Sequence, residues 1–265
     1  MHSPYRTFFI TFNYQVAKEK SFMSTPLKTS VVIPVYNEGK LIILTLKNII
    51  HSLKKNYEIL ICYDFDEDDT LGVIRDQFNH HITNQTIRLI KNKSFGPHAA
   101  VMQGILKSKG CYIIVIPADD SVNSKKLHKL VNIAEQGFDI VCPSRFIKGG
   151  MMKGAPFLKS FINRFVNTTL KTLGMPTADA TNGFRLFSKK VVKSIEIKSS
   201  HGFIYSMEYL IKAYDRNFRI AEFPSLWIER NKGKSKFNLG KWCFPYLKYF
   251  IYGVYICLKK GLRFG

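Results

Sequence analysis

Acidic residues are scarce in this 265-residue chain: 19 Asp and Glu stand against 40 Lys and Arg, a formal net charge of +21. The imbalance implies anionic company, whether phosphates, nucleic acid or an anionic lipid surface. Cysteine is sparse as well. The five present (Cys62, Cys111, Cys142, Cys243 and Cys257) form no CxxC and no paired spacing, which argues against a disulfide framework. Cys62, Cys111 and Cys142 sit in apolar runs and are expected to be small core residues in a reducing compartment. No uninterrupted run reaches the roughly 20 apolar residues that a helix needs to span a bilayer. Met1 to Phe12 shows no apolar segment with a cleavage site, so residues 1–29 are expected to form an irregular extension. Internal repeats and low-complexity tracts are missing too.

From Ser30 onward, short β-branched runs alternate with amphipathic stretches. Strands are expected at Ser30–Val35, Glu58–Tyr63, Thr86–Ile90, Cys111–Ile116 and Phe138–Cys142, with helices over 38–54, from about 68, over 96–109 and over 125–136. Nearly continuous apolar strands alternating with helices predict an α/β fold, a mostly parallel sheet covered on both faces. Ligands of such sheets bind beyond the carboxyl ends of the strands.

Acids gather at those ends. Five carboxylates fall in six residues at Asp64–Asp69; Asp68 or Asp69 suits a helix start, and Asp64, at the strand end, suits a ligand. The adjacent Asp119 and Asp120 suit a hard divalent cation, Mg²⁺ or Mn²⁺, which takes a few protein oxygens and leaves positions for water and phosphate. Bases dominate elsewhere. Between Asp139 and Asp179 there is no acid but six Lys or Arg, and after Glu229 there is none but nine. A helix with a broad aromatic face and a cationic polar face is expected over 157–173, either packed in the core or lying at a membrane interface. The aromatic stretch Trp242–Leu258, broken by Pro245 and Lys248, is expected to lie in the interface plane rather than to span.

Taken in order, PVYNE at 34–38, YDFDEDDT at 63–70, PADDS at 117–121, GFDIVCPSR at 137–145, DATNGFRLF at 179–187, YSME at 205–208 and RNKGKSK at 230–236 resemble the motifs of GT-A family-two glycosyltransferases, of the dolichol-phosphate mannosyltransferase and polyprenyl-phosphate glycosyltransferase kind. The resemblance covers about Ser30 to Leu239. It implies a GT-A (Rossmann-like) domain over 30–240 and a basic, aromatic, membrane-associating tail over 241–265. Pro34, Tyr36 and Glu38 would line the nucleotide pocket, Asp64 would meet the base, and Ala118 and Asp119 would lie against the metal–diphosphate. Asp120 is the candidate second metal oxygen, because Pro117 stands where the family carries the first acid of its DxD motif. Arg145 and Arg185 would face phosphates or the acceptor, and Arg230, Ser235 and Lys236 would close over the diphosphate. Asp179 and Glu208 would sit at the acceptor side.

The resemblance implies an inverting transfer from a nucleotide-sugar donor to a polyprenyl phosphate or a glycan, by a peripheral enzyme on the cytoplasmic face of an anionic membrane. An anionic acceptor needs no strong base. A sugar hydroxyl needs one, with Asp179 the first choice and Glu208 the second. Three alternatives stand beside this: a nucleotidyltransferase, a catalytically inactive scaffold (which Pro117 keeps open), and a basic nucleic-acid-binding protein. The last leaves the carboxylates at strand ends unexplained, so nucleic acid is not an expected partner.

Overall fold

The computed structural model describes residues 27–229 and 239–264. Five strands near the expected positions form one parallel set: β1 (Thr29–Pro34), β2 (Tyr57–Tyr63), β3 (Ile87–Lys91), β4 (Tyr112–Val115) and β5 (Ile140–Ser144). Between them run α1 (Ile42–Leu53), α2 (Asp69–Thr83), α3 (Pro97–Lys107) and α4 (Leu127–Glu135). The second half adds β6 (Met151–Lys153), α5 (Phe157–Thr172), β7 (Arg185–Ser188), α6 (Lys189–Ser194), α7 (Ile204–Asp215), β8 (Ile220–Pro224), β9 (Leu226–Ile228) and α8 (Leu239–Phe264).

The main sheet has the order β3-β2-β1-β4-β7-β5-β8, with β6 and β9 forming a separate parallel pair. Strand alternation sends Val32, Leu60 and Cys62 to one face and Val31, Ile33, Ile59 and Ile61 to the other, each face closing its own apolar core. From β1 the chain moves outward through β2 and β3, then returns to place β4 on the opposite side of β1. Strand order therefore reverses between β1 and β4, and such a reversal opens a crevice at the carboxyl ends.

Strand β7 was not among the expected strands. It lies antiparallel to both β4 and β5. Only four residues long and carrying an arginine, it lacks the apolar run that marked the others, yet all four residues are buried. Cys62 and Cys142 are core residues as expected; Cys111 is exposed, because it precedes β4 rather than belonging to it. The expected tail is the body of α8, which begins at Leu239 and packs on α7 and α5. No helix among the described residues is long and apolar enough to cross a membrane.

Helix α3 packs on β1 and β2 through Gly104. A Cβ there would stand 2.3 Å from Val32 Cγ1 and 2.8 Å from Cys62 Sγ. Both neighbours are fully buried, so neither can step aside. Gly104→Ala is expected to cost about 1–3 kcal/mol, read as a lower urea midpoint.

Candidate active site

The first carboxyl-end turn is held by the acidic one. Asn37 N donates to Asp68 Oδ2 at 3.1 Å, Glu38 N to Thr70 Oγ1 at 3.0 Å and Gly39 N to Asp69 Oδ1 at 2.9 Å. Asp68 also caps α2 through Thr70 N at 2.9 Å. The charge cluster at 66–69 is thus partly spent on two amides of the loop after β1, and that loop presents Tyr36 beside Phe65 in an edge-on pair at 5.5 Å. Asp64 ties the ends of β2, β3 and α3 together, accepting from Asn92 Nδ2 at 2.8 Å and Gly96 N at 2.9 Å.

Asp119 follows β4 on the same edge of the sheet as Asp64, with β1 between their strands. Two interstrand spacings put those strands about 10 Å apart. Ala118 is buried and Asp119 half-buried. Asp120 does other work than expected. Both of its oxygens accept from Asn123 at 2.8–2.9 Å, and Asn123 in turn exchanges hydrogen bonds with the backbone of Leu226. Burial raises the Asp120 carboxyl above its ordinary range, the neighbouring Asp119 charge adding to this against the Asn123 hydrogen bonds. The side chain expected to supply a second metal oxygen instead fastens the β4 turn to β9. No cluster of three metal-ligating side chains occurs among the described residues.

The Arg145–Asp179 pair is buried and bonded through three N–H donors of Arg145. Arg145 donates from Nε at 2.7 Å and its backbone N at 3.0 Å to Asp179 Oδ2, and from Nη2 at 2.8 Å to Oδ1. Asp179 is fully buried. A general base must reach its proton, and this carboxylate is sealed and saturated, so its place is to hold Arg145 rather than to act as base. Arg145 Nη2 continues to Thr181 Oγ1 at 2.9 Å. Thr181 is bonded to Asn163 and Asn167 of α5.

Two further expectations are corrected. Arg185 is fully buried on β7, its guanidinium donating to the carbonyls of Ser206 at 2.9 Å and Asp179 at 3.0 Å. It braces the backbone around Asp179 and faces no acceptor. Glu208 lies inside α7, where it accepts from Lys198 N at 2.9 Å, Ser199 N at 2.8 Å and the Lys212 ammonium. It anchors the loop before α7. Arg230, Ser235 and Lys236 lie outside the described residues.

What the site offers is a cavity of about 360 Å³. Pro34, Pro117 and Arg145 reach it from the strand ends; Lys159 and Asn163 of α5, Trp227 of β9, and Tyr246 and Phe250 of α8 enclose it. The sequence reading missed this second group. Lys159 was seen only as part of a cationic helix face; its ammonium lies 4.4 Å from the centre of the Trp227 ring and 3.2 Å from Glu229.

Residues 30–196 match the sequence profile described as Glycosyl transferase family 2. The chain belongs to that family. It is similar to the dolichol-phosphate mannosyltransferase of Pyrococcus furiosus, with 30% identity over 84% of this chain and 62% of that protein. To the polyprenol monophosphomannose synthase of Mycolicibacterium smegmatis the identity is 25%, over 80% of this chain and 81% of that one. To the undecaprenyl-phosphate 4-deoxy-4-formamido-L-arabinose transferase of Edwardsiella ictaluri it is 28%, over 80% and 63%. The chain thus spans less than two thirds of the first and third of these relatives. Among solved structures, glucosyl-3-phosphoglycerate synthase of Mycobacterium tuberculosis in complex with Mn²⁺, uridine diphosphate and glucosyl-3-phosphoglycerate aligns with a TM-score of 0.63 at 15% identity, over 87% of this chain and 80% of that one. That likeness is one of fold, and the family-two fold expected from the motifs is the one observed.

Two outcomes follow for this family-two site. Asp179→Ala leaves a guanidinium buried without its counter-charge and is expected to cost about 3–5 kcal/mol, measured by urea unfolding; a rate loss at unchanged stability would restore Asp179 as a base. For Glu208, burial alone would raise the carboxyl, but the Lys212, Lys198 and Ser199 hydrogen bonds outweigh it and hold it below its ordinary 4.5. A lowered folded value means that the stabilisation is complete above the unfolded value and is lost as pH falls through the folded one. The stability gap between the native chain and Glu208→Gln, followed by urea midpoints, should therefore hold steady above about pH 5 and shrink below it.

Proposed function

We propose that this chain transfers a sugar, with inversion, from a nucleoside-diphosphate donor to a polyprenyl phosphate at an anionic membrane surface on the cytoplasmic side. One observation carries the choice of acceptor: a fixed cation, Arg145, stands at an apolar cavity, while neither Asp179 nor Glu208 is placed to take a proton. A glycan hydroxyl needs a base. A phosphate oxygen is already anionic, so it needs only a cation to position it and an apolar space for the first units of its chain. The names of the Pyrococcus, Mycolicibacterium and Edwardsiella relatives agree with a lipid-phosphate acceptor.

In this reading Pro34, Tyr36 and Glu38 line the nucleotide side, and the Tyr36–Phe65 pair offers an aromatic edge to the base beside Asp64. Asp64 keeps lone pairs beyond those used by Asn92 and Gly96, so it can accept a further N–H from a base. The acceptor oxygen attacks the anomeric carbon as the bond from that carbon to the diphosphate breaks; the electron pair leaves with the nucleoside diphosphate. Arg145 holds the acceptor phosphate.

A hard divalent cation, Mg²⁺ or Mn²⁺, fits a donor set of this kind, since such ions are often held by one or two carboxylates with substrate phosphates and water completing the shell. Asp119 is the residue that would hold it, and when bound it neutralises charge on the departing diphosphate. The M. tuberculosis neighbour, whose complex contains Mn²⁺, agrees with this.

The membrane reading rests on α5 and α8. Phe157, Phe161 and Phe165 of α5 are exposed, while Asn163 and Asn167 on its other side turn inward to Thr181. On α8, Phe244, Leu247, Ile251, Tyr255 and Leu258 form an exposed stripe at helical spacing. Phe165 meets Phe250 at 6.1 Å, joining the two surfaces. Apolar stripes bordered by lysines suit the interface of an anionic leaflet.

A panel of nucleotide sugars, screened by thermal shift with and without Mn²⁺ and then by transfer to a polyprenyl phosphate, tests the reading. Transfer is expected with at least one donor and should fall roughly 100-fold or more in Asp119→Asn. Equal transfer by that variant, or stabilisation by no donor, would overturn it. For the membrane, Phe157→Ser with Phe161→Ser is expected to weaken flotation with phosphatidylglycerol vesicles about tenfold or more, at an unchanged unfolding temperature.

A further inference from the structure

The opposite edge of the sheet carries a second concavity that the transfer reading does not use. It has a volume of about 570 Å³ and runs between the end of α1 and α4, within the size range of small-molecule sites. Lys28 and Thr29 at the start of β1 line it, as do Lys54, Lys55 and Asn56 just before β2. The six residues of β1 separate this edge from Pro34 at the transfer cavity by about 20 Å.

Four lysines (Lys28, Lys54, Lys55 and Lys125) and two histidines (His51 and His128) line the groove, and no carboxylate does. Glu135, paired with Lys28 at 2.7 Å, is the one acid bonded to a lining lysine among the described residues. Cations gathered in one hollow repel each other, and a cleft lined by a single sign of charge concentrates counter-ions.

The backbone that carries the groove is fixed on both walls. The loop that carries Lys54 and Lys55 has left-handed backbone at Lys54 (φ 60°) and Asn56 (φ 58°). Lys28 N and Thr29 N both donate to Asn56 O, at 2.9 and 3.2 Å, pinning the loop to β1. On the other wall, the buried Ser52 hydroxyl accepts from His128 N at 3.2 Å and lies 3.0 Å from His128 Nδ1. With its oxygen accepting that amide, the hydroxyl proton is available to Nδ1. Where the hydroxyl donates there, the neutral ring carries its own proton on Nε2, the nitrogen away from Ser52, as a donor.

We propose that this groove is a second anion site, taking a small soluble ligand of the diphosphate class through Lys54, Lys55, Lys125 and His128. It does not depend on the transferase reading and is separate from the donor site. A diphosphate matches it because four lysines line the groove without an acid among the lining residues to orient a sugar or an amine, and because phosphate oxygens accept from both ammonium and imidazole N–H groups.

The test is calorimetric titration of the full chain with inorganic pyrophosphate in metal-free buffer, paired with amine-acetylation footprinting. One metal-independent site is expected, with pyrophosphate shielding Lys54, Lys55 and Lys125. Lys54→Gln with Lys125→Gln should weaken that binding about tenfold while keeping the native unfolding temperature and transfer rate, and Asp119→Asn should leave it intact. Binding by the lysine variant within about twofold of the native chain would overturn the proposal. So would shielding confined to Lys153 and Lys159, or shielding by phosphatidylglycerol vesicles but not by pyrophosphate, which would make the groove a headgroup contact instead.

Discussion

The buried pair between Arg145 and Asp179 organises the rest of the site. Removing two charges from water costs several kcal/mol per ion, and a bidentate geometry with a further amide donor offsets much of that without making the pair a strong source of net stability. What the pair supplies is placement. With its guanidinium fixed on two carboxylate oxygens and Thr181, Arg145 keeps one position at the wall of the cavity, so a phosphate arriving there meets a cation that need not be ordered first. The surroundings serve the same end. Arg185 clamps the Asp179 carbonyl, Thr177 Oγ1 accepts from Asp179 N at 3.1 Å, and Asn167 Oδ1 accepts from Ala180 N at 2.7 Å.

A second constraint comes from the crowded acids after β2. Four carboxylates in succession would repel if all stayed unpaired, and the fold spreads their work. Asp68 and Asp69 take amides of the loop after β1, while Asp66 pairs with Lys91. The loop that would meet a nucleotide is therefore fixed by charges belonging to the neighbouring strand. The same economy appears at Asp120, whose carboxylate is given to Asn123 and through it to β9.

The parallel half of the fold was legible because each of its strands is an apolar run bounded by a helix period, and the two acidic turns mark the carboxyl edge without ambiguity. β7 was not legible: four residues containing Arg185 give no run, and only pairing with β4 and β5 makes that arginine an interior residue. The roles of Asp179 and Glu208 were misread for a related reason. A carboxylate looks like a base or a ligand until its partners are known, and those partners lie 34 residues away for Asp179 and in a loop 9–10 residues before Glu208. The cavity wall from Trp227, Tyr246 and Phe250 is likewise assembled from segments that carry no motif of their own.

Helix α5 is apolar on both sides, since Leu170 and the asparagines Asn163 and Asn167 turn into the protein while its phenylalanines point out. In water alone that arrangement exposes several large aromatic side chains in one patch, which soluble monomers rarely do unless the patch has a use. Its inner face is given partly to polar residues, because Asn163 and Asn167 hold Thr181 and, through it, Arg145. The outer face then has the same origin as the inner one: a helix that holds Arg145 through its polar residues leaves its phenylalanines facing out. If that side rests in a leaflet, α5 and α8 bring the cavity they enclose to the edge of the hydrocarbon. A polyprenyl chain could then remain largely in its own solvent while its phosphate reached Arg145, and the desolvation cost of extracting a long lipid would not have to be met by the site.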